Sequence, residues 1–128
     1  MLVTVLALAL VTQPVAVTDA VAVPDTSVDT LVGNSISDFE THGGLPADVR
    51  SVRLVWHTLA DGITRPAICG RALVDKANGK WVPFAALTTS GYEQYVGDGS
   101  ELRCKNGEKR LGSRDITQLY RDRLSKAD

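Results

Sequence analysis

The sequence predicts an α+β fold, a three- to four-stranded antiparallel sheet with an N-terminal and a C-terminal helix and one disulfide. Three observations lead there. Apolar residues recur at helical spacing in residues 24–44 and 113–128, and they alternate in the stretch that begins at residue 47. Asp61-Gly62, Asn78-Gly79 and Asn106-Gly107 punctuate the middle of the chain as turns between strands. Cys69 and Cys104 are the only cysteines, an even count that in a small exported domain reads as one crosslink closing a loop of about 35 residues.

The first element is not part of the domain. "MLVTVLALALV" has the length of a secretory hydrophobic region and is too short to span a bilayer as a helix of about 20 residues. Thr12, Gln13 and Pro14 break it, and Ala20-Val21-Ala22 supplies the small-x-small pattern that a signal peptidase accepts. Thr18-Asp19-Ala20 is a second candidate. Residues 1–22 are therefore expected to be a signal peptide, and 23–128 a single domain of ordinary size for one core. A buried N-terminal strand is the competing reading, because no Lys or Arg precedes the apolar run.

Within the domain, Val28, Leu31, Val32, Ile36 and Phe39 lie close to one helical face, with Thr26 or Ser27 as N-cap and Gly43-Gly44 as terminator. Gly33 inside this run costs about 1 kcal/mol of helix propensity. "ADVRSVRLVWHTLA" then changes period: Val52, Leu54 and Trp56 point one way, and Arg53, Val55 and His57 the other. "RPAICGRALV" reads as the second strand. Asn78-Gly79 reads as a type I′ turn leading into the third, "ANGKWVPFAAL". Trp81 and Phe84 fall on opposite faces of it, and Pro83 makes it an edge or places a bulge there. "TTSGYEQYVGDGS" reads as a polar connection, and "ELRCK" as a short strand that returns Cys104 toward Cys69. In the final helix Ile116, Leu119, Tyr120 and Leu124 share a face. Ser113 caps its start, and Arg121, Arg123 and Lys126 suit its negative end.

Charge and composition narrow the function. The chain is 44% hydrophobic with a formal net charge of −1, enough to bury a core and too balanced to drive it toward nucleic acid or membrane. All 14 Lys and Arg lie at or after Arg50, whereas residues 1–49 carry acids alone, so the folded part is mildly basic. Arg103, Lys105, Lys109, Arg110 and Arg114 form the one basic cluster and read as a solvated loop and helix start, so no nucleic-acid role is expected. Two cysteines and two distant histidines lack zinc spacing, and the glycines match neither a P-loop nor a dinucleotide fingerprint. No metal and no cofactor are expected. His57 and His42 are the available general bases, without an accompanying nucleophile motif, so no catalytic residue is assigned.

"ICG", "NGKWVPF" and a later lone cysteine, spanning roughly residues 49 to 104, resemble a family of small exported bacterial domains of unknown function. In those domains a Cys-Gly strand leads through an Asn/Gly-containing turn to an aromatic strand. The resemblance implies export and a disulfide and carries no activity. The string "SGYEQY" is similar to the Ser-Gly-x-Tyr loop of bacterial lysozyme inhibitors.

These readings lead to a monomeric, periplasmic or secreted, non-enzymatic binding module that is not an integral membrane protein. Its expected partner is an envelope protein or glycan, met by Trp81, Phe84, Tyr92, Tyr95, Arg103 and Lys105. An inhibitor of a cell-wall-cleaving enzyme, or a small hydrolase using His57 or His42, is the alternative.

Overall fold

The computed structural model describes residues 25–58, 61–89, 91–105 and 112–127. The stretch read as a signal peptide and the Asn106-Gly107 pair read as a turn lie outside the described residues. In chain order the elements are α1 (Asp25–Thr41), β1 (Val49–Thr58), β2 (Thr64–Asp75), β3 (Lys80–Thr88), β4 (Tyr92–Val96), β5 (Arg114–Asp115) and α2 (Thr117–Ala127). The strands form one antiparallel sheet in the order β4-β3-β2-β1-β5. The architecture is the expected α+β one, with five strands. Among the described residues no helix is long and apolar enough to cross a membrane.

Both helices cover one face of the sheet. All five apolar positions of α1 singled out by spacing are buried, and they meet Val52, Leu54, Ile68, Phe84 and Ala86 from the sheet and Ile116, Tyr120 and Leu124 from the C-terminal segment. Phe84 is the hub. Its ring lies 5.3 Å from Phe39, edge-on, and 5.7 Å from Tyr120, distances at which aromatic pairs attract beyond simple burial. Its cross-strand partner is Gly70. A Cβ on Gly70 would approach Phe84 Cε1 and Val52 Cγ2 to 3.0 Å, so the ring can lie across the strand only because no side chain is there. The opposite face buries a smaller cluster of Val55, Ala67, Cys69, Ala85, Leu87 and Cys104, with Tyr95 packed against it.

A bulge in β1 divides the sheet's residues between the two faces. Arg50 pairs with Arg71 and Arg53 with Cys69, so the two residues Ser51 and Val52 stand opposite Gly70 alone. Ser51 takes a φ of 51°, the one non-glycine residue with positive φ among those described. An odd separation normally puts residues on opposite faces. With one extra residue inserted, Val49 and Val52 both enter the helix-side core, and Arg50 and Arg53 both face the other way. The backbone groups of Val52 that the bulge frees are taken up by Thr117: its Oγ1 accepts from Val52 N–H at 2.9 Å and donates to Val52 C=O at 3.2 Å. Ile116 N–H donates to the same carbonyl. Arg121 Nε then bonds Asp48 Oδ1 and Val49 C=O, both at 3.1 Å. These contacts latch α2 to the start of β1.

Several local expectations are corrected. Residues 92–96, read as a polar connection, form β4, because alternation places Gln94 toward α1 and Tyr95 toward the disulfide. "ELRCK" is a helical turn at 102–105, not a strand: Cys104 N–H and Lys105 N–H both donate to Glu101 C=O. Strand β3 is interior and not an edge. It tolerates Pro83 because that residue lies just past the end of β4. On that side the Pro83 carbonyl accepts from Gly97 N–H at 2.8 Å and from the Ser100 hydroxyl, so the missing N–H interrupts no ladder. The β2–β3 turn is not type I′. Only Gly79 has positive φ, and residues 76–79 separate the paired Asp75 and Lys80. The Asp75 carboxylate accepts from Asn78 Nδ2 at 2.6 Å and from Asn78 N–H, which holds its pKa below the usual value. Thr26 and Ser27 lie inside α1 and do not precede it. The start of α2 is held by Asp115 Oδ1, which accepts from Thr117 N–H at 2.9 Å, and not by Ser113.

Candidate functional site

The sheet face turned away from the helices collects three of the six residues expected to bind, Trp81, Tyr95 and Arg103. Across four strands Arg53, Cys69, Ala85 and Tyr95 stand in register, and Arg50, Arg71 and Pro83 form the next row. Cys69 is bonded to Cys104, with Cα atoms 6.2 Å apart. The crosslink lays the 102–105 turn over this face and sets the guanidinium of Arg103 3.8 Å from the centroid of the Tyr95 ring. The same turn brings Glu101 Oε1 to 3.0 Å from Arg71 Nη1. One strand further, the guanidinium of Arg50 lies 4.2 Å from the Trp81 centroid.

Two arginines directly opposite each other in neighbouring strands repel, and Arg50 and Arg71 are such a pair. Glu101 relieves one, and the face of Trp81 receives the other through cation–π attraction. Arg50 and Arg103 are both exposed, and neither has an acidic partner among the described residues.

The expected binding residues therefore separate. Trp81, Tyr95 and Arg103 share the open face, and Lys105 is exposed at the end of the helical turn. Phe84, at 1% exposure, is the centre of the core and not a surface contact. Tyr92 is half-buried on the helix side, its hydroxyl donating to Gln94 Oε1 at 2.9 Å. The string similar to an inhibitor loop thus enters β4, with its first tyrosine turned toward α1. The sequence alone does not place Arg50 and Arg71 on this face, because their common face depends on the bulge, for which a serine in left-handed conformation leaves no signature in the sequence.

No known protein family, curated protein or solved structure matches this chain.

His57 is half-buried on the open face, opposite Arg65. His42 is exposed where α1 ends, its Nδ1 3.0 Å from Asp38 C=O and 3.3 Å from Asp38 Oδ1. It borders a cleft of about 650 Å³ that also carries Asp38, Lys80 and Gln94 between walls including Phe39 and Val82.

Ser35, which Gln94 links to Asp38, is fully buried and committed elsewhere. It donates to Gln94 Oε1 at 2.5 Å and meets the Tyr120 hydroxyl at 2.8 Å. Gln94 Nε2 in turn donates to Ser35 C=O and Asp38 Oδ2. With Tyr92 as the second donor to Oε1, every hydrogen-bonding position of the Gln94 amide is used. Burial pushes the Tyr92 and Tyr120 phenols well above the ordinary tyrosine value, and the neighbouring Asp38 charge adds to the shift. The network is suited to fixing the packing of α1, β4 and α2 and offers no free nucleophile. Among the described residues no group of three or more His, Cys, Asp or Glu is placed to hold a metal ion.

Proposed function

We propose that this protein is an exported, non-enzymatic binding domain of the cell envelope whose contact surface is the open sheet face. The observation that carries the reading is the pair of arginine–aromatic stacks, Arg50–Trp81 and Arg103–Tyr95, with both guanidiniums exposed and without acidic partners among the described residues. Trp, Tyr and Arg are the residue types that dominate binding energy at interfaces. Export is supported by the apolar leader with its small-x-small site and by the Cys69–Cys104 crosslink, which persists in oxidising compartments. The resemblance to small exported domains belongs to the same proposal.

The test is retention of an envelope component by the tagged, oxidised protein, with Trp81→Ala as control and denaturant midpoints measured on both. Retention lost in the variant, with most of the stability kept, supports a contact surface. Equal retention by both removes this face from the account. A hydrolase reading has less behind it, since the Ser35 hydroxyl that Gln94 links to Asp38 is locked in the core and the Thr41 hydroxyl beside His42 donates to Ser37 C=O.

A further inference from the structure

We propose that the partner is a protein presenting an acidic surface with an apolar spot, met by Arg50–Trp81, Arg103–Tyr95 and Leu102. The inference rests on the reading of the open face as the contact surface and assigns its chemistry.

Three observations converge. First, Trp81 and Ala85 are four residues apart on β3, and Tyr95 is the β4 partner of Ala85, so strand geometry puts the Cα atoms of the two stacked aromatic residues about 14 Å apart. A single small anion cannot reach both guanidiniums, whereas carboxylates distributed over a protein surface can. Second, Leu102 is 71% exposed on the turn that carries Arg103, the most exposed large apolar side chain among those described. An apolar side chain beside arginine and aromatic residues matches the make-up of protein interfaces, and a glycan has little use for it. Third, the bulge brings Arg50 to the face of Arg71 despite their mutual repulsion, and it does so through a strained backbone at Ser51. Strain and like-charge crowding persist at places where another requirement outweighs them.

The charges on this face also set what is rejected. Arg71 is already paired with Glu101, and Glu93 accepts from the Tyr95 hydroxyl at 3.0 Å. Acidic groups therefore stand beside the two stacks and disfavour a uniformly charged polyanion lying across the whole face. A folded partner with two separated acidic patches fits the alternation.

The test uses the oxidised full chain immobilised and exposed to a detergent-free envelope extract, in parallel with Trp81→Ala and with Arg50→Ala, Arg103→Ala and Leu102→Ser variants, across a salt series. Extract samples are pre-treated with protease or with periodate. The retained component is purified and titrated back. Expected is a protease-sensitive, periodate-resistant protein whose rebinding weakens with salt. Its affinity should fall about tenfold in each arginine variant, the scale of a charge-assisted contact, and also in Leu102→Ser. All three positions are exposed, so denaturant midpoints should stay close to the parent and separate lost binding from lost folding.

Periodate-sensitive retention overturns the protein partner in favour of a glycan. Retention that depends on Trp81 but ignores salt and both arginines overturns the acidic surface and leaves the binding reading standing. Retention that does not depend on Trp81, or no retention at all, overturns both.

Discussion

Ser51 holds a left-handed backbone at φ 51°, a region that costs an L-residue roughly 1–2 kcal/mol. Glycine removes that cost but adds freedom to the unfolded chain, so Ser51→Gly should raise stability by about 0.5–1 kcal/mol, read from the urea midpoint. A fall in the midpoint would mean that the serine side chain contributes more than its backbone strain costs. Gly70 poses the opposite problem. Any Cβ there meets Phe84 and Val52 at 3.0 Å, in a core that has no slack, and overpacking of this kind costs about 1–3 kcal/mol. Gly70→Ala should lose that amount, and a neutral result would show that the Phe84 ring can step aside. "ICG" is thus a division of labour: Cys69 serves the disulfide face, and Gly70 makes room on the helix face.

Two devices join elements that are distant in the chain. The first is the disulfide, which ties β2 to the 102–105 turn across 35 residues of sequence. Replacing both cysteines by alanine should lower stability by about 3–4 kcal/mol relative to the oxidised parent, by restoring freedom to the unfolded chain. The same variant should differ little from the reduced parent; equal losses against both forms would assign the effect to packing. The second device is the polar network from Ser35 in α1 through Gln94 in β4 to Tyr120 in α2. Ser35→Ala leaves the buried Tyr120 hydroxyl without its hydrogen-bond partner, and an unsatisfied buried group of this type costs about 1–3 kcal/mol. A double-mutant cycle with Tyr120→Phe should recover part of the loss, because the second change removes the orphaned group. Additive effects would uncouple the two residues. The amphipathic stripe of α1 was legible, since five apolar residues share one face. Ser35 was not, because a lone serine in a helix reads the same whether it faces water or Gln94.

For the molecule as a whole, the buried phenols set a limit at alkaline pH. Burial raises the folded-state pKa of Tyr120 and Tyr92 above the ordinary value of 10.0, so at high pH the folded protein holds phenolic protons that the unfolded chain releases. Their contribution is fully present below about pH 10 and is lost as pH rises beyond it. Urea midpoints should therefore be insensitive to these groups up to about pH 9 and then decline. In Tyr120→Phe the decline should be shallower, although the variant starts from a lower midpoint for want of the bond to Ser35. An unchanged alkaline slope would transfer the effect to other groups.

The sequence by itself determined the class of the fold, the position of both helices, the first three strands and the pairing of the two cysteines. These follow from local periodicity and from an even cysteine count, quantities that a short window of residues carries. Tertiary structure decided which strands sit side by side, that Pro83 lies in an interior strand just beyond the end of β4, that Phe84 is core while Trp81 is half-buried on the open face, and that Arg50 faces Arg71 and Trp81. Those outcomes depend on register and on one inserted residue in β1. A one-residue slip exchanges the two faces of a strand, so pairing across the sheet had to be settled before any side chain could be assigned to the core or to the open face.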